Sequence, residues 1–115
     1  MGRRNRQRAK LAVPVTDYPD ADGNVLRLRG ALSAGSRREY SETLQGGLNR
    51  DDARQRALEL LFERLAVAWQ IAGVPTTGSR ELLTRYRLAT AAERDFVRDA
   101  LRAHAQENFP ELETP

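Results

Sequence analysis

The chain has one histidine, His104, and no cysteine. A histidine works as a general base when a nucleophile or an orienting carboxylate stands within hydrogen-bond reach. No such partner can be picked out by spacing, and His104 falls on the apolar face of a predicted helix. It reads as a histidine at the edge of the core. The missing cysteines remove disulfides, thiol catalysis and every thiolate metal site. A lone histidine also removes the paired-histidine zinc motifs. Asp20-Ala-Asp22-Gly-Asn24 echoes part of a calcium loop. A full loop places a bidentate glutamate six residues after its glycine, but Arg29 stands there and opposes a cation. A turn is the simpler reading. Glu59 and Glu63 lie one helical turn apart, as a carboxylate pair might, yet Arg56 and Arg64 lie at pairing distance on the same helix. An ion-paired, solvated face follows. Gly46-Gly47 has neither the preceding strand nor the lysine of a phosphate loop and reads as a helix stop. No catalytic residue, metal, cofactor or small-molecule ligand is assigned, and the chain is not expected to be an enzyme.

Charge is the stronger signal. The formal net charge is +3, from 19 basic and 16 acidic residues. Residues 1–10 hold five of the basic groups, Arg3, Arg4, Arg6, Arg8 and Lys10, and no acid. The remainder therefore carries 14 basic against 16 acidic residues, or −2. Lys10 is the only lysine, an arginine bias typical of GC-rich bacterial coding. Residues 1–10 cannot bury an apolar face and are expected to be a disordered basic tail. Such a tail can displace counterions from nucleic acid and bind it without regard to sequence. It can equally dock on an acidic protein surface. The apolar stretch Leu11–Val15 is too short for a signal peptide, and no run of about 18 apolar residues suggests a membrane span. The expected setting is the cytoplasm.

The elements that must position these residues are mostly helical. A single domain is expected over 11–109, with residues 110–115 as a short acidic tail. Residues 11–32 read as a β-hairpin: a short strand at Leu11–Val15, a turn at Asp17–Asn24 and a half-buried strand at Val25–Arg29. Helices fill 36–109. Ser36 and Glu39 have the spacing of a capping box for the first, which ends at Gly46-Gly47. Asn49 caps a long second helix, with Asp51 and Asp52 at its positive end, running to about Ala72. Gly73 and Pro75 stop it. A third starts at Ser79 and reaches about Arg87. Thr90 and Glu93 form the capping box of the fourth, which Phe109-Pro110 ends. The fold class is thus mainly α, with about four helices, a short N-terminal β-hairpin and a basic tail.

The long helix is the most informative element. Leu58, Leu61, Phe62, Leu65, Trp69 and Ala72 form one apolar stripe. Leu60, Val67 and Ile71 form a second, interrupted by Arg64. A helix apolar on two sides is either central in its domain or shared with a partner. The partner reading makes Leu60, Arg64, Val67 and Ile71 a binding surface. A charge at Val67 or Ile71 would then remove the partner and spare the fold.

The order of segments suggests a family. VLRLRGALS leads into REYSETL, then ALELLFERLAVAWQIAGVP, ELLTRYRLATAAERDFVRDAL and ENFPELE. Over residues 25–113 this resembles the small helical accessory proteins of actinobacterial phage and prophage tail modules, notably tail assembly chaperones. The resemblance implies a mainly helical protein that shields a tape-measure or tail protein before assembly, in the bacterial host cell, with possible retention in the virion. Two other readings stand beside it. One is a small nucleic-acid-associated protein using Arg3, Arg4, Arg6, Arg8 and Lys10. The other is a self-associating structural subunit of a head or tail ring.

Overall fold

In a computed structural model, residues 13–115 are described. The predicted basic tail, with Arg3, Arg4, Arg6, Arg8 and Lys10, lies outside the described residues. The alternation Val25-Leu-Arg-Leu-Arg29 forms a strand as expected. It pairs antiparallel with the segment before it, giving β1 (Val15–Pro19) and β2 (Val25–Arg29). Leu26 and Leu28 are buried, while Arg27 and Arg29 point outward into solvent. The first strand begins where the expected one ends, at Val15. Its residues 17–19, expected in the turn, are in the ladder, and Arg27 and Asp17, directly opposite each other, form an ion pair at 2.7 Å. The turn proper is Asp20–Asn24. Asp20 Oδ1 accepts the backbone N–H groups of Asp22 and Asn24, so this carboxylate is used by the turn itself.

Helices α1 (Ala34–Gln45) and α2 (Arg50–Leu65) follow as a pair. Ser33, not Ser36, caps α1, accepting the Ser36 N–H at 3.1 Å. The expected Ser36–Glu39 capping box does not form because Arg64 takes both side chains. It donates to Ser36 Oγ at 2.8 Å and to Glu39 Oε1 at 3.0 Å. Asn49 caps α2 as expected, accepting the Asp52 N–H.

The long helix predicted from Asn49 to Ala72 is two elements. The backbone turns extended at Ala66, and Ala66–Ile71 is a strand, β3, paired antiparallel with β2. The residues after Leu65 fit a continuing helical stripe, but Val67 and Ile71 are β-branched and prefer the extended chain. Packing decides the matter: Trp69 stands opposite Leu26, and Ala66 opposite Leu28. Gly73 and Pro75 do not end a helix. Gly73 belongs to the turn into β4 (Val74–Thr77), where Ala72 and Gly73 have φ of 52° and 78°, and Pro75 lies within β4 opposite Gln70. This double left-handed geometry matches the twist of a two-residue hairpin. Asn24 Oδ1 accepts the Ala72 N–H at 2.9 Å, which ties the two hairpin turns together.

The sheet is therefore four-stranded and antiparallel, in order β1-β2-β3-β4. The expectation of four helices holds among the described residues, but the fold is not mainly α with an accessory hairpin. It is an α+β fold in which the hairpin is half of a sheet. Helices α3 (Ser79–Arg87) and α4 (Ala91–Asn108) complete it, and the Thr90–Glu93 capping box forms in both directions. The backbone N–H of Thr90, aided by the Arg85 guanidinium, holds the Glu93 carboxyl below the usual carboxylate range. The helices cover one face of the sheet. At the centre Phe62 stacks on Tyr86 with ring centroids 5.1 Å apart and meets Trp69 edge-on at 6.0 Å. Arg85 lies over the outer part of the same indole, 5.3 Å from its centroid. Residues 110–115 are folded back: Leu112 packs on the core, and the Tyr40 hydroxyl donates to the Glu113 carbonyl at 2.6 Å.

Two outcomes follow. Trp69→Ala should cost about 3–5 kcal/mol in denaturant unfolding, as other buried aromatic truncations do. All three tyrosines titrate above their ordinary 10.0, mainly through burial, Tyr40 up to about 12. Above pH 10 the unfolded chain loses these protons first, so stability is complete below pH 10.0 and falls as pH rises toward 12. Unfolding curves across that window, with tyrosinate absorbance, would check this; a flat profile would refute it.

Candidate functional site

The structure separates the four residues assigned to the partner surface. Leu60 and Arg64 are on α2. Arg64 reaches across to α1, as above, and Leu60, one turn earlier, is half-buried and packed against the core. Val67 and Ile71 are on β3 rather than on a helix. Between Arg27↔Ala68 and Leu28↔Ala66 the register shifts by one, so Val67 is the extra residue of a β-bulge. It is half-buried, as is Ile71, which packs against the core beside the β3–β4 turn. No continuous helical stripe joins the four.

The ion-paired face expected for Glu59 and Glu63 is formed with other partners. Glu59 pairs with Arg87 of α3 at 2.9 Å, and Arg56 pairs with Asp52.

His104 is fully buried and joins three elements. A backbone carbonyl only accepts, so the 2.8 Å contact to the Arg29 carbonyl makes Nε2 the protonated nitrogen. Nδ1 is then the acceptor, taking the Tyr18 O–H at 2.8 Å. Asn108 caps the arrangement, its Nδ2 donating to the His104 carbonyl at 3.0 Å and lying 3.2 Å from Nδ1. Burial, with the Glu107 charge, pushes the Tyr18 phenol up. Both ring nitrogens are thus engaged in tying α4 to β1 and β2. This is the core-edge role read from the sequence, made specific by Tyr18, which the sequence reading did not connect to it.

A different surface stands out. The α1–α2 connection is Gly46-Gly47-Leu48-Asn49, and Gly47 has φ of 85°. That left-handed residue reverses the chain between the helix ends. It leaves Leu48 fully exposed at the tip of the helical hairpin. Beside it lies a depression of about 430 Å³, lined by Leu44, Leu48, Arg50, Ala53, Arg54 and Glu113. Leu44 is half-buried and Ala53 buried, but the lining is mostly polar, with Arg50, Arg54 and Glu113 around it. Val74 and Leu88 are further large apolar residues in solvent, on the β3–β4 turn and after α3. The sequence reading took 46–49 only as a stop and a cap. The signal it held was a leucine between a glycine pair and an N-cap.

No helix among the described residues is long and apolar enough to cross a membrane, and among them no cluster of histidine, aspartate or glutamate has metal-binding geometry. No family model, curated protein or solved structure matches the chain.

His104→Leu should destabilise the protein by about 2–3 kcal/mol, because it strands the Arg29 carbonyl and the Tyr18 hydroxyl in the interior. Tyr18→Phe removes only one donor and should cost about 1 kcal/mol. Chemical denaturation of both variants measures this. Equal, negligible costs would show that the network contributes nothing.

Proposed function

We propose that this chain is a non-enzymatic assembly protein of a phage or prophage, a tail assembly chaperone that holds a tape-measure or tail protein until assembly. Its place of action on this reading is the bacterial cytoplasm. The observation that carries the reading is Leu48, a fully exposed leucine at the end of a helical hairpin, beside a depression bordered by Arg50, Arg54 and Glu113. Burying such a side chain in a partner is worth about 1.5–3 kcal/mol. An apolar anchor ringed by polar groups is the usual anatomy of a protein-binding site. The contact thus sits at the hairpin tip. Leu60, Arg64, Val67 and Ile71, expected from the sequence as the partner surface, do not line the depression beside Leu48.

The segregation of charge favours a second reading, a nucleic-acid-associated protein that binds through Arg3, Arg4, Arg6, Arg8 and Lys10. One experiment separates the two. The full chain is co-expressed with the tape-measure and tail-tube proteins of the same genome, captured after nuclease treatment and assayed by mass spectrometry. Recovery of one of them in near-equal amount is expected. Leu48→Glu should reduce that recovery by about tenfold or more with the thermal midpoint unchanged. Full recovery with Leu48→Glu removes the tip from the interface. Nucleic acid recovered in place of protein when nuclease is omitted, and lost on deleting residues 1–10, selects the second reading.

A further inference from the structure

A second concavity lies away from the hairpin tip, where α2, α3 and α4 meet. It has a volume of about 240 Å³, the room of about eight waters at liquid density. Leu58 and Tyr86, both buried, and Ala91 give it an apolar and aromatic lining. Its polar groups are mostly donors: Gln55 from α2, with Arg94 and Arg98 from α4. Asp95 is the single carboxylate. It engages Arg98 at 3.3 Å, and Asp99 holds the same guanidinium from the other side at 3.4 Å. Arg94 has no carboxylate within 4.0 Å among the described residues. Several neighbouring arginines are answered: Arg85 by Glu93, Arg87 by Glu59, Arg102 by Asp99. Arg94 is left open beside a concavity that also has an aromatic wall.

We propose that this cleft binds an oxyanion carried on an apolar or aromatic group, with Arg94 as its principal cation. The guanidinium offers a planar fork of donors that fits a carboxylate or a phosphoryl group. Gln55 supplies a neutral donor from the opposite helix. Leu58 and the edge of Tyr86 receive the apolar part of the ligand. Arg98 joins when the incoming anion competes with Asp95. The Tyr86 hydroxyl feels both sides of this placement: burial, with the Glu59 charge, pushes the phenol up, whereas Gln55 and the charges of Arg94 and Arg98 draw it back. The proposal is independent of the hairpin tip and of the chaperone reading, since no residue is shared.

The test is a titration of the isotopically labelled full chain, followed by amide chemical shifts, at fixed ionic strength. Benzoate and phenyl phosphate are the probes, and chloride is the control. Saturable shifts confined to Gln55, Leu58 and Ala91–Arg98 are expected for at least one probe. Arg94→Gln should weaken binding about tenfold, and Arg94→Lys less, because the charge survives and the fork does not. Arg94 is exposed and makes no ion pair, so neither variant should alter the thermal midpoint; Gln55→Ala, from the other wall, gives a second check. Tighter binding of phenyl phosphate assigns a phosphoryl ligand, and tighter binding of benzoate a carboxylate. Shifts that match chloride, spread over every surface arginine or persist in Arg94→Gln overturn the proposal.

Discussion

Leu26 and Leu28 stay dry only because β2 is paired along both edges and roofed on one face. β1 covers one edge through a short local turn. The other edge waits for β3, which the chain supplies only after α1 and α2 have been laid down. A two-stranded ribbon is marginal in water, so the β2–β3 seam is the contact on which the rest depends. It requires α2 to end at Leu65. It sets Trp69 opposite Leu26, and so places the indole where Phe62 can meet it. It also forces α1 and α2 into an out-and-back pair, because both ends of that excursion must arrive at adjacent strands.

Features governed by nearby chemistry were legible in the sequence. Asn49, Thr90 and Glu93 act as helix-start residues because their partners lie within three positions. The alternation of β2 was equally plain. The division at Ala66 was not. Leu58, Leu61, Phe62 and Leu65 are continued in helical phase by Trp69 and Ala72, so period alone favours one long helix. Residues 66–71, with β-branched Val67 and Ile71, also suit a strand, and only a distant partner breaks the tie. Ser36 failed for a related reason. Its spacing to Glu39 is right for a cap, but Arg64, far along the chain, makes better use of both oxygens. Of the candidate site, the residue types were visible and the geometry was not. Leu60 and Arg64 lie on α2 and Val67 and Ile71 on β3, so the single helical stripe read from the sequence is divided between two elements.

The His104 arrangement shows how one polar side chain can be placed in such an interior. Each ring nitrogen has a dedicated partner, so burial leaves no orphaned group. It joins the far end of α4 to the outer hairpin, whereas the aromatic group around Phe62 joins α2 and α3 to the inner strands. The two linkages lie on opposite sides of the seam. The hairpin tip, with Leu48 exposed, is engaged by neither linkage, whereas the three-helix cleft shares Tyr86 with the aromatic group.

The excursion between β2 and β3 has a kinetic side. β1–β2, α1–α2 and β3–β4 are each built from neighbours in the chain, and such units assemble in microseconds. The seam is different, because its two strands must find each other across both helices, and the closure entropy is met before any contact at the seam forms. Folding should therefore run as three quick local events followed by one slow docking step. The Val67 bulge lies inside that last step and sets the register in which the two hairpins lock. A lengthened α1–α2 hairpin would slow the docking only gently, since closure cost grows with the logarithm of loop length. The tip is thus free to vary in reach while the sheet beneath it keeps one register.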